Sequence, residues 1–126
     1  MPFLPKSTHT HEAVPQGGNT WINWPGQGLF GARARIKPGM GHDFHYHPGR
    51  EELIYVLEGR IAQWIGEAMQ MLEPGDAVVI PADVVHASFN AGETDAVIFV
   101  VLTGAEGEQD LGVDVSQTEP WRSLRS

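Results

Sequence analysis

The chain has 126 residues, 41% of them hydrophobic, no cysteine and a formal net charge of −8. That length suits one domain that buries a core without staples, and the missing cysteine excludes a disulfide framework, a thiolate nucleophile and sulfur metal ligands. The acidic balance, with eight scattered Lys and Arg residues, excludes nucleic acid as a partner, and no stretch approaches the roughly 20 apolar residues of a membrane-spanning helix.

Residues 1–19 read as an irregular arm. The first six residues hold two prolines and no apolar run of signal-peptide length, so a cytoplasmic location is expected. His9, His11 and Glu12 form a short polar stretch, a weak metal signal by itself. Such an arm could add a strand to a neighbouring subunit.

Beyond the arm, fifteen glycines and nine prolines interrupt the chain too often for long helices. Short apolar segments bounded by turn residues follow instead, at 20–24, 29–36, 43–47, 52–57, 60–65, 68–72, 77–80, 84–89 and 96–102. Glu58-Gly59 and Gly66-Glu67 read as tight hairpin turns, and three Pro-Gly pairs (38–39, 48–49 and 74–75) as loop punctuation. About nine short strands at close spacing predict one all-β domain over 1–126, a barrel or sandwich, with its core at about 20–102. The acidic stretch from Gly104 to Asp114 reads as a loop or loose tail within a C-terminal arm, 103–126. The segment from Glu119 to Arg122 reads as one that docks on the core or on a partner subunit.

Three histidines and a glutamate stand out inside this pattern. His45 and His47 are two residues apart, so in a strand both rings point to one face, whereas on a helix they would diverge by about 200°. Glu52 opens the next strand and His86 lies on a third. Imidazole and carboxylate together suit a divalent transition metal such as Fe, Mn, Ni, Cu or Zn. Strict alternation places Asp43 on the face of His45 and His47, and Phe44 and Tyr46 on the other. It also places Ile54 and Val56 with Glu52, and Val84, Ser88 and Asn90 with His86. An apolar pocket, polar at one end, follows; it suits a small ligand.

Several other residues have two readings. Arg33 and Arg35 clamp a substrate carboxylate if their face looks inward; if Ala32, Ala34 and Ile36 face the core, the arginines face solvent. His42 is a gate or a support behind the ligands, or a loop bystander. Ser88 and Asn90 orient a ligand, or Asn90 finishes a turn. Trp21, Trp24 and Trp64 read as core or subunit contacts rather than stacking platforms.

The spacing of these residues resembles the cupin superfamily. The first motif runs Gly39, five residues, His45-Tyr46-His47, four residues, Glu52, six residues, Gly59; the second runs Gly75, five residues, Pro81, His86, three residues, Asn90. Fifteen residues separate Gly59 from Gly75, as in small microbial cupins. One departure is Asp83 at a usual glycine position, where aspartate tolerates a left-handed turn. The resemblance implies an antiparallel β-barrel of jelly-roll type and a homodimer. It implies His45, His47, Glu52 and His86 as ligands of one ion, with Glu52 favoured over Glu51 by its spacing to Gly59. Glu52 is also a candidate general base, because a weakly held carboxylate can release the ion and take a proton. The expected function is a metal-dependent enzyme acting on a small oxygenated organic molecule, of dioxygenase type. The alternatives are a Lewis-acid isomerase, lyase or cyclase, and a non-catalytic sugar- or metabolite-binding protein.

Overall fold

The computed structural model describes residues 3–14, 19–104 and 112–125. These residues are all-β apart from a 3-10 turn at Lys6–Thr8 and a short terminal helix. The strands are β1 (Glu12–Ala13), β2 (Thr20–Pro25), β3 (Leu29–Ile36), β4 (Gly41–Tyr46), β5 (Glu52–Glu58), β6 (Ile61–Ile65), β7 (Ala68–Leu72), β8 (Ala77–Ile80), β9 (His86–Asn90), β10 (Ala96–Thr103) and β11 (Val113–Asp114), followed by α1 (Trp121–Leu124). All nine expected segments form strands, and the arms contribute β1 and β11.

The strands make two antiparallel sheets, six-stranded in the order β1-β2-β3-β10-β5-β8 and five-stranded in the order β11-β4-β9-β6-β7. Among the described residues no ladder joins them into a closed ring, so the expected barrel takes the form of two sheets sharing a core. Ile36, Ile54, Val56, Ile80 and Ile98 of the first sheet pack against Ile61 and Leu72 of the second. Burial of such branched side chains is the main stabilising contribution, about 1.5–3 kcal/mol each.

One expected hairpin is a crossover. β5 pairs with β8 and β10, and β6 with β7 and β9, so the Glu58-Gly59 turn carries the chain from one sheet to the other. Gly59 turns at φ +79°, where an added Cβ would lie 2.7 Å from the Ala96 Cα; both the angle and the space call for glycine. Gly66-Glu67 does form the β6–β7 hairpin, with Ile65 opposite Ala68.

The described parts of both arms add a strand to a sheet edge. β1 pairs with β2 of its own chain, and the Trp24 indole donates to His9 Nε2 at 3.1 Å, engaging that imidazole. β11 pairs with β4, Asp114 opposite His45. Trp121 and Leu124 then pack with Phe44, Ala87 and Phe89, while the Arg125 guanidinium lies 3.4 Å from the Phe89 ring centroid. The 119–122 segment therefore docks on its own sheet. Residues 105–111 of the expected acidic loop lie outside the described residues. No helix among the described residues is long and apolar enough to cross a membrane.

Candidate metal centre

β4 and β9 run antiparallel with His42 opposite Ser88 and His45 opposite His86. Asp43 and Phe44 thus face the single residue Ala87, which is a β-bulge. The bulge overturns strict alternation. His42 and His45 turn to the same side and their rings stack, 3.8 Å between centroids. Asp43, expected beside His45, is exposed instead, and Phe44 is buried in the opposite layer with Trp121. His47 follows the end of β4, and Glu52 opens β5 across the Pro48–Glu51 loop. Asp83 shapes this loop: it adopts φ 69°, the left-handed turn expected of it, and its Oδ1 accepts the Gly49 N–H at 3.1 Å.

His45, His47, Glu52 and His86 converge, each offering one ligand atom, all within 4.8 Å of one another. The four residues are only 1–6% exposed. His45 Nδ1 lies 2.6 Å from the Asp43 carbonyl oxygen and His86 Nδ1 2.9 Å from that of Val84. A proton on each Nδ1, donated to its carbonyl, leaves the Nε2 lone pairs aimed at the centre. Glu52 Oε1 stands 2.7 Å from His86 Nε2 and 3.1 Å from His47 Nε2. A lone pair and a carboxylate oxygen that close repel unless a cation lies between or beside them.

The fit to a metal follows from this donor set. The Nε2 atoms of all three histidines and Glu52 Oε1 are buried without a well-directed hydrogen bond, which is costly unless an ion satisfies them. Three imidazoles and one carboxylate on a six-coordinate ion leave about two positions open. Burial by itself would raise the Glu52 pKa, but a proton on Nε2 of His47 or His86, like a cation seated between them, overrides burial and holds the carboxyl well below its usual range. Burial, reinforced by His42 and His86, pushes His45 well below the ordinary imidazole value. Both shifts favour the protonation states that bind a cation.

The ligands sit at one end of a cavity of about 320 Å³ between the sheets. Trp21, Phe30, Ala32, Ala34, Ile98 and Val100 form much of its apolar wall, and Asn19, His42 and Ser88 add polar groups. Ser88 Oγ donates to Gln63 Oε1 at 2.6 Å. His42 lines this cavity.

Other expected site residues lie elsewhere. Arg33 and Arg35 are exposed on the outer face of β3 because Phe30, Ala32 and Ile36 point inward, and Arg35 pairs with Asp95 at 3.5 Å. The inward clamp is not formed. Asn90 donates to the Ile36 and Thr94 carbonyls and accepts from Gly92 N–H. Its amide holds a turn and does not line the cavity. Sequence reasoning missed the Trp21 wall, since an aromatic in an apolar strand carries no mark of facing a cavity. It also missed Gly112, whose added Cβ would lie 3.4 Å from His47 Cε1 and 3.5 Å from His45 Cδ2. No local signal marks that glycine, because β11 reaches the site through tertiary pairing.

Comparison with known proteins agrees with this arrangement. The Cupin_2 family model, described as a cupin domain, matches residues 32–102. Germin-like protein 1 of Brassica napus is 36% identical over 64% of this chain and 41% of its own length. Protein SchB of Streptomyces halstedii is 33% identical over 68% of this chain and 63% of its own. The chain thus spans less than half the length of that germin-like relative. Among solved structures, KdgF from Halomonas sp. superposes with a TM-score of 0.74 at 20% identity, over 82% of this chain and 95% of that one, a likeness of fold.

Proposed function

Because the chain belongs to the cupin family, we propose that it is a metal-dependent enzyme acting on a small oxygenated organic molecule, of dioxygenase type. One observation carries the reading: four buried ligand atoms, otherwise unsatisfied, converge beside a largely apolar cavity. His45, His47, Glu52 and His86 would hold a divalent transition ion. When bound, such an ion supplies open positions for two oxygens of a substrate and, if redox-active, the means to activate O₂. Both oxygen atoms of O₂ enter the organic product, so no external reductant is required.

The chain's own residues supply positioning and proton handling. Nδ1 hydrogen bonds to the Asp43 and Val84 carbonyls fix the His45 and His86 rings. His42 and Ser88 face the same cavity; His42 can hydrogen-bond a substrate oxygen, while Ser88, whose proton goes to Gln63 Oε1, can only accept there. Glu52 is the nearest base for a substrate proton. The apolar walls exclude water from the reacting end, which strengthens every charge interaction there. A homodimer belongs to the same proposal, since Tyr55, Leu57 and Val79 leave apolar surface exposed, at 39%, 39% and 58%.

Elemental analysis of protein purified from its own host, followed by oxygen uptake with enolisable substrates, tests the reading. A near-stoichiometric transition metal and substrate-dependent O₂ consumption are expected. Metal-free protein would overturn it. Metal without O₂ uptake would move the assignment to the isomerase and lyase chemistry of a Lewis acid, and ligand binding without turnover to a binding protein.

A further inference from the structure

The cavity wall itself restricts what can occupy the site. β3 and β10 face each other in register, Leu102 opposite Phe30, Val100 opposite Ala32, Ile98 opposite Ala34. Every one of these inward positions is apolar, and the two arginines of β3 point the other way. Among the described residues that line the cavity none is Lys or Arg, and the buried Arg50 does not line it. A ligand carrying a free carboxylate or phosphate away from the ion would therefore be desolvated without a cationic partner, at a large cost.

The polar end has its own charge balance. A divalent ion with the Glu52 carboxylate leaves one net positive charge. A ligand that arrives uncharged and loses one acidic proton to solvent, as an enol does, neutralises it while Glu52 stays ionised. A dianion such as oxalate leaves a net negative charge enclosed by hydrocarbon. Shape points the same way. Ala34 lies beside Trp21 in the β2–β3 ladder, and the small side chains of Ala32 and Ala34 leave room in the cavity wall next to the indole. Trp21 is braced by Phe30, with ring centroids 5.3 Å apart, so its face is held for stacking. At about 320 Å³ the space lies at the small end of ligand pockets, which run from about 300 to 1,000 Å³.

From these observations, and resting on the metal-dependent reading above, we propose that the site selects an uncharged aryl-bearing molecule with a chelating pair of oxygens, such as an aryl β-diketone. The two oxygens face the ion, and the ring lies against the indole of Trp21 over Ala34.

Calorimetric titration of Zn²⁺-loaded protein tests this without turnover, because Zn²⁺ is redox-inert. The probes are benzoylacetone, uncharged and aryl-bearing, and oxalate, a compact dianion. Benzoylacetone is expected to bind at least about tenfold more tightly than oxalate. Ala34→Leu, which fills the space beside Trp21, is expected to weaken benzoylacetone by about tenfold or more with zinc stoichiometry unchanged. Trp21→Ala, which removes the stacking wall rather than adding bulk, is expected to act in the same direction should Ala34→Leu fold poorly. Oxalate binding as tightly as the diketone, or a diketone affinity indifferent to the folded variant, overturns the inference. Zinc stoichiometry measured on the same samples keeps the two readings apart. If no zinc is held the metal reading fails, and the wall is then judged by the same probe ratio in metal-free protein, where equal or reversed preference overturns it.

Discussion

The imidazole of His42 lies stacked on that of His45, their planes inclined by 23°. The bulge that spends Asp43 and Phe44 opposite Ala87 creates this pair. It brings an additional, half-buried imidazole against a ligand histidine, and that has a consequence for pH. Burial first, with His47 and His86 adding to it against the pull of Glu52 and Asp114, lowers the His42 pKa from 6.5 to about 4. Between those values the unfolded chain binds more protons than the folded one, so stability rises with pH across that window. It is present in full above about 6.5 and lost as pH falls towards 4. His45 acts in the same direction, and Glu52 extends the loss below its ordinary value of 4.5. The melting temperature of metal-free protein should therefore fall on going from about pH 7.5 to 5, and His42→Gln should flatten that fall. A melting temperature that holds steady or rises on acidification would count against the assignment.

Removal of a ligand should act on metal first. Glu52→Ala and His86→Ala should each lower metal affinity by well over tenfold, since even groups supporting the ligands cost about 10- to 100-fold. A competition titration against a chromogenic chelator reads this directly. Glu51→Ala, at an exposed neighbour, should leave affinity within about twofold. Equal losses at 51 and 52 would sink the choice between the two carboxylates.

Asp83 offers a test of backbone and loop together. Asp83→Gly keeps the left-handed turn and loses only the acceptor for Gly49 N–H, an expected cost of about 0.5–1.5 kcal/mol. Asp83→Val adds a β-branched residue at positive φ, worth a further 1–2 kcal/mol or so. Urea unfolding should rank wild type above Gly and Gly above Val. Any other order would show that the turn does not depend on this residue as described.

Asn90 separates turn from ligand. Asn90→Ala leaves the Ile36 and Thr94 carbonyls and the Gly92 N–H without their partner, which should destabilise the protein by about 2–4 kcal/mol. Calorimetry with benzoylacetone on the folded fraction should give an unchanged affinity. A selective loss of affinity at unchanged stability would return Asn90 to the site.

Chelation provides the last comparison. Four buried, convergent polar atoms should make the bound ion a stabilising ligand, so EDTA should lower the melting temperature in a manner that returns on readdition of metal. Identical melting curves with and without chelator would argue that the ion, if held, adds nothing to folding.

Much of this protein was legible in one dimension because its determinants are local. Alternating apolar residues set all nine core strands, and the His-x-His spacing needs only the two-residue period of a strand to put His45 and His47 on one face. Glycine and aspartate at 59 and 83 mark positive-φ turns by their own sterics. Tertiary structure decided what local pattern leaves free. The Glu58-Gly59 turn is a crossover rather than a hairpin because the partners of β5 and β6 lie in different sheets. A single extra residue in β4 moved Asp43 out and His42 in, and a bulge depends on the partner strand's register. Whether Arg33 or Ala32 faced the ligand turned on which side of β3 met the second sheet, because alternation fixes two faces without naming the inner one. The Gly112 contact lies furthest from local pattern, for β11 and the His45–His47 segment are distant in sequence and meet only once the sheet has formed.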